Sequence, residues 1–176
     1  GEHQLHNAAT VLEAISVLRK QGWDIDDEAV ESGLYSVAWP ARFEVLHTDD
    51  PWFVLDGGHN PQCAAALREC LEHYFPDSKR VALVGVLKDK DYKSIAAMLA
   101  PLFDACVCVT PPSERALPAE ELAELFKDSC REVCVAGTVE DGVDLARDIA
   151  QEQDAMVCAF GSLYICGQIR SCFGLR

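Results

Sequence analysis

The 176-residue chain carries 29 acidic against 15 basic side chains, a formal net charge of −14. A phosphate backbone or an anionic membrane would be repelled by that charge, so neither nucleic acid nor a membrane surface fits as the main partner. The length suits one well-buried core, and no apolar run approaches the ~20 residues of a membrane span.

The opening stretch, Gly1-Glu2-His3-Gln4-Leu5-His6-Asn7-Ala8, runs directly into a helical pattern. Leu5, Ala8, Leu12, Ile15 and Leu18 recur every three or four residues and form one apolar stripe. His3, Gln4 and Asn7 fall at or before the first turn, where helix capping is the plain reading. A long helix opening abruptly on a Gly, with no Met, leads us to expect a piece of a longer protein. Asp26 is placed to cap a short helix from Asp27 to about Ser32, with Gly33 ending it. Pro40 excludes helix at Trp39, and Arg42 to His47 alternates loosely, as an edge strand does. Its hairpin partner is expected to be Trp52 to Leu55, reached through Thr48-Asp49-Asp50-Pro51.

Trp52 to Leu55 reads as a short buried strand that ends in Asp56-Gly57-Gly58-His59. Asn60 then serves as N-cap and Pro61 as first residue of a helix over 61–75. The pattern becomes regular from there. Strands are expected at 80–87, 104–110, 132–136 and 155–160. Helices follow from about Tyr92 to Leu99, from Leu117, from Val139 to Ala150, and after Gly161-Ser162. Strands alternating with ~10–15-residue helices imply βαβ units. The predicted fold is α/β, a Rossmann-like, mostly parallel sheet with helices on both faces. One or two helices precede it, giving a division into residues 1–36 and 37–176.

Three strand ends carry polar clusters: Asp56/His59, Asp89-Lys90-Asp91 and Gly161-Ser162. Singly they read as a loop histidine, a solvated loop and a helix cap. Parallel strands bring them to one edge, where open α/β sheets bind ligands. Standard signatures are missing from the chain: no phosphate loop, no dinucleotide fingerprint and no G-x-S-x-G elbow. The nine cysteines include no C-x-x-C pair, and no metal site is expected. Cys106 and Cys108 share a strand face, and Cys130 and Cys134 would share a helix face if helix extended that far. Reduced thiols packing as small hydrophobes are the expectation, which suits the cytoplasm.

Five ordered motifs carry a resemblance: Gly1 to Ala8, Trp39-Pro40-Ala41-Arg42-Phe43-Glu44, Leu55-Asp56-Gly57-Gly58-His59-Asn60-Pro61, Asp89-Lys90-Asp91 and Gly161-Ser162-Leu163-Tyr164. Together they resemble folylpolyglutamate synthase/dihydrofolate synthase, a family of Mur-ligase-like, ATP-dependent amide ligases. Ala41 stands where that family usually has Gly, and Gly58 where it usually has Ala. The resemblance implies that residues 1–36 end a central ATPase domain and that 37–176 form the C-terminal, glutamate-binding domain. It implies ATP and Mg2+ as cofactors, glutamate and a pterin or folate as substrates, and the chain's own preceding ATPase domain as partner. The phosphate loop and most metal ligands would lie in that domain, so the chain alone is expected to be inactive. By motif, Asn7 would contact adenine with His3 and Gln4 nearby, Arg42 the γ-phosphate, and Asp56 the ribose. His59, Lys90 and Ser162 would receive glutamate, with Arg42 and His59 in the catalytic roles. A Mur-type ligase for another amino acid and a non-catalytic α/β module are the competing readings. The Trp39–Glu44 and Asp56–Pro61 motifs together argue against the first.

Overall fold

A computed structural model describes residues 1–47 and 51–175, and for Glu2 and His3 the backbone alone. The chain forms two compact units, Gly1–Pro40 and Ala41–Arg176.

The first unit holds helices α1 (Glu2–Lys20) and α2 (Asp27–Ser36). Asp26 caps α2 as its type and position require, accepting the Ala29 N–H at 2.6 Å. Arg19 ties the end of α1 to that cap, donating to the Ile25 carbonyl at 2.6 Å and pairing with Asp27 at 2.8 Å. Two expectations change here. Helix α2 runs through Gly33 to Ser36, because a glycine ends a helix by turning left-handed and Gly33 does not. Gln4 and Asn7 are not caps: Gly1 is the N-cap of α1 and brings no side-chain bond. They lie one turn apart inside the helix, and the Asn7 amide donates to Gln4 Oε1 at 3.0 Å. Among the described residues no side chain of α1 or α2 is buried, and Leu5 of the apolar stripe is 71% exposed.

The second unit is a six-stranded sheet with helices on both faces. Its elements are β1 (Glu44–His47), β2 (Phe53–Asp56), α3 (Pro61–Tyr74), β3 (Lys79–Val84), α4 (Tyr92–Leu99), β4 (Ala105–Cys108), α5 (Ala119–Glu124), β5 (Glu132–Val135), α6 (Val139–Gln153), β6 (Ala155–Phe160) and α7 (Leu163–Cys172). The strand order is β1-β2-β6-β3-β4-β5. Only β1 runs antiparallel, as the hairpin reading required; its turn, Thr48 to Asp50, lies outside the described residues.

Period-two alternation divides the buried side chains between the two faces. Val54, Ala82, Cys106 and Cys158 pack under α3, α4 and α5. Leu55, Leu83, Val107 and Val157 pack under α6 and α7. Strand β6 is inserted between β2 and β3, and its helix α7 crosses to the face opposite α3 and α4. On either side of β6, neighbouring strands thus send their helices to opposite faces, which makes the carboxyl ends of β2, β6 and β3 the switch point where open α/β sheets form their binding crevice. Register aligns those ends, with Asp56 beside Phe160 and Phe160 beside Val84.

Strand β3 stops at Val84 rather than Leu87. Beyond it the chain leaves the parallel ladder and pairs with the loop after β4: Leu117 N–H donates to Val86 O at 3.0 Å and Lys88 N–H to Arg115 O at 2.8 Å. Strand β1 starts at Glu44 rather than Arg42, because Ala41 and Phe43 are left-handed, at φ 56° and 46°. Cys134 lies on β5 and Cys130 in the turn before it, so the pair shares no helix.

Candidate functional site

The crevice is built by three loops stitched together through their backbones. Gly161 N–H donates to Gly58 O at 3.1 Å, and Gly85 N–H to Phe160 O at 3.3 Å. Gly161 sits at φ 111°, and a Cβ there would stand 2.7 Å from the Gly85 carbonyl oxygen. Glycine is thus required where the β6 and β3 loops touch.

After β2, Asn60 caps α3 by accepting the Cys63 N–H at 2.8 Å, with Pro61 in the first turn. Half-buried His59 places Nδ1 3.2 Å from the Gly57 carbonyl. A carbonyl only accepts, so Nδ1 carries the proton and Nε2 keeps its lone pair when the ring is neutral. Asp56 turns inward and is only 7% exposed. Its Oδ1 accepts the Gly58 N–H at 2.7 Å, and its Oδ2 accepts the Phe43 N–H at 2.9 Å. The carboxylate therefore clamps the β2 loop to the loop before β1.

That second loop presents Arg42. Its neighbours Ala41 and Phe43 are both left-handed, a conformation that costs a non-glycine residue roughly 1–2 kcal/mol. Hydrogen bonds hold it: Gly57 N–H to Ala41 O at 2.7 Å, Ala41 N–H to Glu44 Oε2 at 2.8 Å, and the Asp56–Phe43 bond. The Arg42 side chain is exposed and has no ion pair among the described residues.

After β3, the three charged residues divide. Asp89 pairs with Arg115 at 2.6 Å, and the guanidinium hydrogen bond holds its carboxyl below the usual carboxylate range. Asp91 caps α4, accepting the Ser94 N–H at 3.2 Å. Lys90, half-buried, has no ion pair among the described residues. After β6, Ser162 is 1% exposed and caps α7, its Oγ accepting the Tyr164 N–H at 3.2 Å.

The second unit thus places Arg42, His59, Lys90 and Ser162 on loops, and Asp56 at the end of β2, at one edge of the sheet. Asn7 and Gln4 belong to the first unit, and the His3 side chain lies outside the description. Three residues were not singled out by the sequence. Arg115 follows Pro111-Pro112-Ser113 with no motif to mark it. Glu44 ends the Trp39–Glu44 motif with no role attached, and Arg170 sits in the last turn of α7. Among the described residues, no three His, Cys, Asp or Glu side chains could hold a metal ion. None of the described helices is long and apolar enough to cross a membrane.

A mostly parallel sheet whose switch-point edge carries exposed Arg42 and half-buried Lys90 and His59 defines an α/β domain suited to an anionic small molecule. The particular family follows from comparison with known proteins. The model described as "Mur ligase, glutamate ligase domain" matches residues 41–163, and the chain belongs to that family. It is 36% identical, over 97% of its length, to a probable bifunctional folylpolyglutamate synthase/dihydropteroate synthase of Halobacterium salinarum, of which it covers 20%. A Mycobacterium tuberculosis folylpolyglutamate synthase complexed with ADP and AMPPCP matches 100% of the chain with TM-score 0.87 and 34% identity; 41% of that protein is covered. A Yersinia pestis bifunctional folylpolyglutamate synthase/dihydrofolate synthase complexed with AMPPNP and Mn ion matches 92% of the chain at TM-score 0.77 and 29% identity, over 38% of its own length. The chain thus spans well under half the length of these relatives.

Proposed function

We propose that the chain is the amino-acid-binding part of a longer ATP-dependent ligase that joins L-glutamate to dihydropteroate, to folates, or to both. In the proposed reaction the γ-phosphoryl of ATP passes to the pterin substrate's carboxylate, giving an acyl phosphate and ADP. The glutamate amine attacks the acyl carbon, an amide bond forms, and phosphate and a proton leave. Such a reaction needs charge neutralisation on the moving phosphoryl and a positioned amine.

Arg42 takes the γ-phosphate, as a permanently charged planar donor suits. His59 faces the attacking amine, and the Nε2 lone pair is the group that accepts its proton. Lys90 and the Ser162 hydroxyl serve the carboxylates of glutamate. Asn7 and Gln4 take the adenine, with His3, whose side chain lies outside the described residues, as the third candidate, and Asp56 takes the ribose hydroxyls. The inward clamp made by Asp56 engages both carboxylate oxygens with backbone N–H groups of the two loops. Mg2+ would sit on the nucleotide phosphates, with most of its protein ligands supplied by the rest of the ligase. The partner is the preceding ATPase part of the same polypeptide, in the cytoplasm.

The observation that carries this reading is Arg42, held exposed at the crevice by a left-handed loop. Backbone strain of that kind concentrates at functional sites. The test is Arg42→Ala in the full-length ligase, which should abolish ligation while leaving the circular-dichroism spectrum and Tm unchanged. Near-normal turnover would sink the assignment.

A further inference from the structure

Arg42 is exposed, but the loop that carries it is not free to settle where it likes. Two of its three residues, Ala41 and Phe43, occupy the left-handed region. Neither is a glycine, so the conformation persists only where its surroundings over-determine it. The Ala41 N–H donates to Glu44 Oε2 at 2.8 Å. The other oxygen, Glu44 Oε1, accepts from Arg170 Nη1. The pair is mostly enclosed, with Arg170 13% and Glu44 23% exposed. Glu44 is therefore a two-sided link, with one oxygen on the strained backbone and one on a cation of α7.

Helix α7 gives the link its meaning. Its N-terminus is capped by Ser162 inside the crevice, and its last turn holds Arg170. Leu163 at its start packs so closely on Gly57 that a Cβ there would meet Leu163 Cδ2 at 2.3 Å. One rigid helix thus joins the Ser162 loop to the Arg42 loop. Charge-assisted hydrogen bonds are stronger and more directional than neutral ones, which suits a latch working against backbone strain.

We propose that Glu44, held by Arg170, is a positioning residue that keeps Arg42 aimed into the crevice by locking Ala41 left-handed. The inference rests on the reading of Arg42 given above. Misplacing such a group by ~1 Å costs a rate of up to about 10²-fold.

The test uses the full-length ligase. Glu44→Gln should lower kcat by about 10- to 100-fold and move the KM for ATP less than about threefold, since the loss falls in the transition state. Arg170→Gln should lower kcat in the same direction, and its effect should shrink when Glu44→Gln is already present, because the two residues share one link. The discriminating readout is Ala41→Gly placed in the Glu44→Gln background. Glycine removes the penalty of the left-handed state, so at least about a threefold recovery of kcat is expected. A residue acting only on fold stability, or touching substrate itself, would show no such rescue. Glu44→Gln or Arg170→Gln at parental kcat, or a failed rescue, overturns the proposal. Arg42→Ala is measured alongside: loss of turnover there with a silent Glu44→Gln refutes the latch alone, whereas full turnover of Arg42→Ala refutes the reading of Arg42 and the latch with it.

Discussion

Gly161→Ala is the substitution with the sharpest expected outcome. The residue directly follows β6, an inner strand of the sheet, and bonds through its N–H to Gly58, one residue from His59. Two costs act on an alanine there. The first is conformational: φ is 111°, outside even the left-handed helical well, and such a residue costs about 1–3 kcal/mol. The second is steric. The new Cβ would stand 2.7 Å from Gly85 O and 2.8 Å from Val86 Cγ1. The first of these is backbone of the neighbouring strand loop and cannot rotate away, and overpacking of this kind costs about 1–3 kcal/mol. One shift of the backbone relieves part of both, so the two do not simply add. Alanine's smaller unfolded-state entropy returns only about 0.4–1 kcal/mol. The net expectation is a loss of about 2–4 kcal/mol, a large share of a typical domain stability of about 5–15 kcal/mol. Urea unfolding followed by far-ultraviolet circular dichroism measures it, with m unchanged if the unfolded state is unaltered. Gly167→Ala is the control: it lies inside α7 with ordinary φ and nothing within 4 Å of the new Cβ. That variant should gain about 0.5–1 kcal/mol. If Gly161→Ala is as stable as the parent while the control behaves, the close approach of the β6 and β3 loops is wrong.

Two further outcomes concern the core. Buried Arg80 donates to the carbonyls of Leu71, Phe75 and Leu102, at 3.4, 2.5 and 3.3 Å, closing the end of α3 and the turn before β4. Arg80→Met keeps the apolar stem and deprives those carbonyls of a charged donor, so it should cost about 2–4 kcal/mol and lower Tm by roughly 4–16 °C in differential scanning calorimetry; an unchanged Tm would contradict the role. The nine cysteines are all free thiols: six are buried, Cys63 and Cys134 are half-covered, and Cys172 is exposed. Burial pushes Cys130 up to about 11 and Cys166 to about 12. A thiol reagent at about pH 8 should therefore modify at most Cys63, Cys134 and Cys172 in the native protein, since the thiolate is the reactive form. The other six should react only in denaturant, and rapid native labelling of Cys106 or Cys158 would refute their burial.

Local signals were read from the chain because they act over a few residues. Asn60 and Asp26 are caps in both sequence and structure, since a side-chain oxygen reaches a backbone N–H three positions on. The buried strands showed as short apolar runs, because each is covered on both faces. Gly33 misled because a glycine permits a helix end without imposing one. The end of β3 misled because Gly85 to Leu87 remain apolar and buried while switching partner from the sheet to the loop at 115–117. No local pattern reports that exchange.

The sequence by itself determined the alternation of strands and helices, the antiparallel hairpin at the start of the sheet, and which strand ends carry polar residues. Periodicity, capping and turn chemistry are short-range, and they sufficed. Only the tertiary structure decided that β6 enters between β2 and β3, which turns three separate loops into one crevice. It alone showed Asp56 facing inward as a clamp and Arg115 holding Asp89. Above all, it decided the shape of the Arg42 loop. Ala41 and Phe43 have no local reason to turn left-handed; they do so because Gly57, Asp56 and Glu44 hold their backbone, and two of those three groups lie 13 or more residues away in the chain.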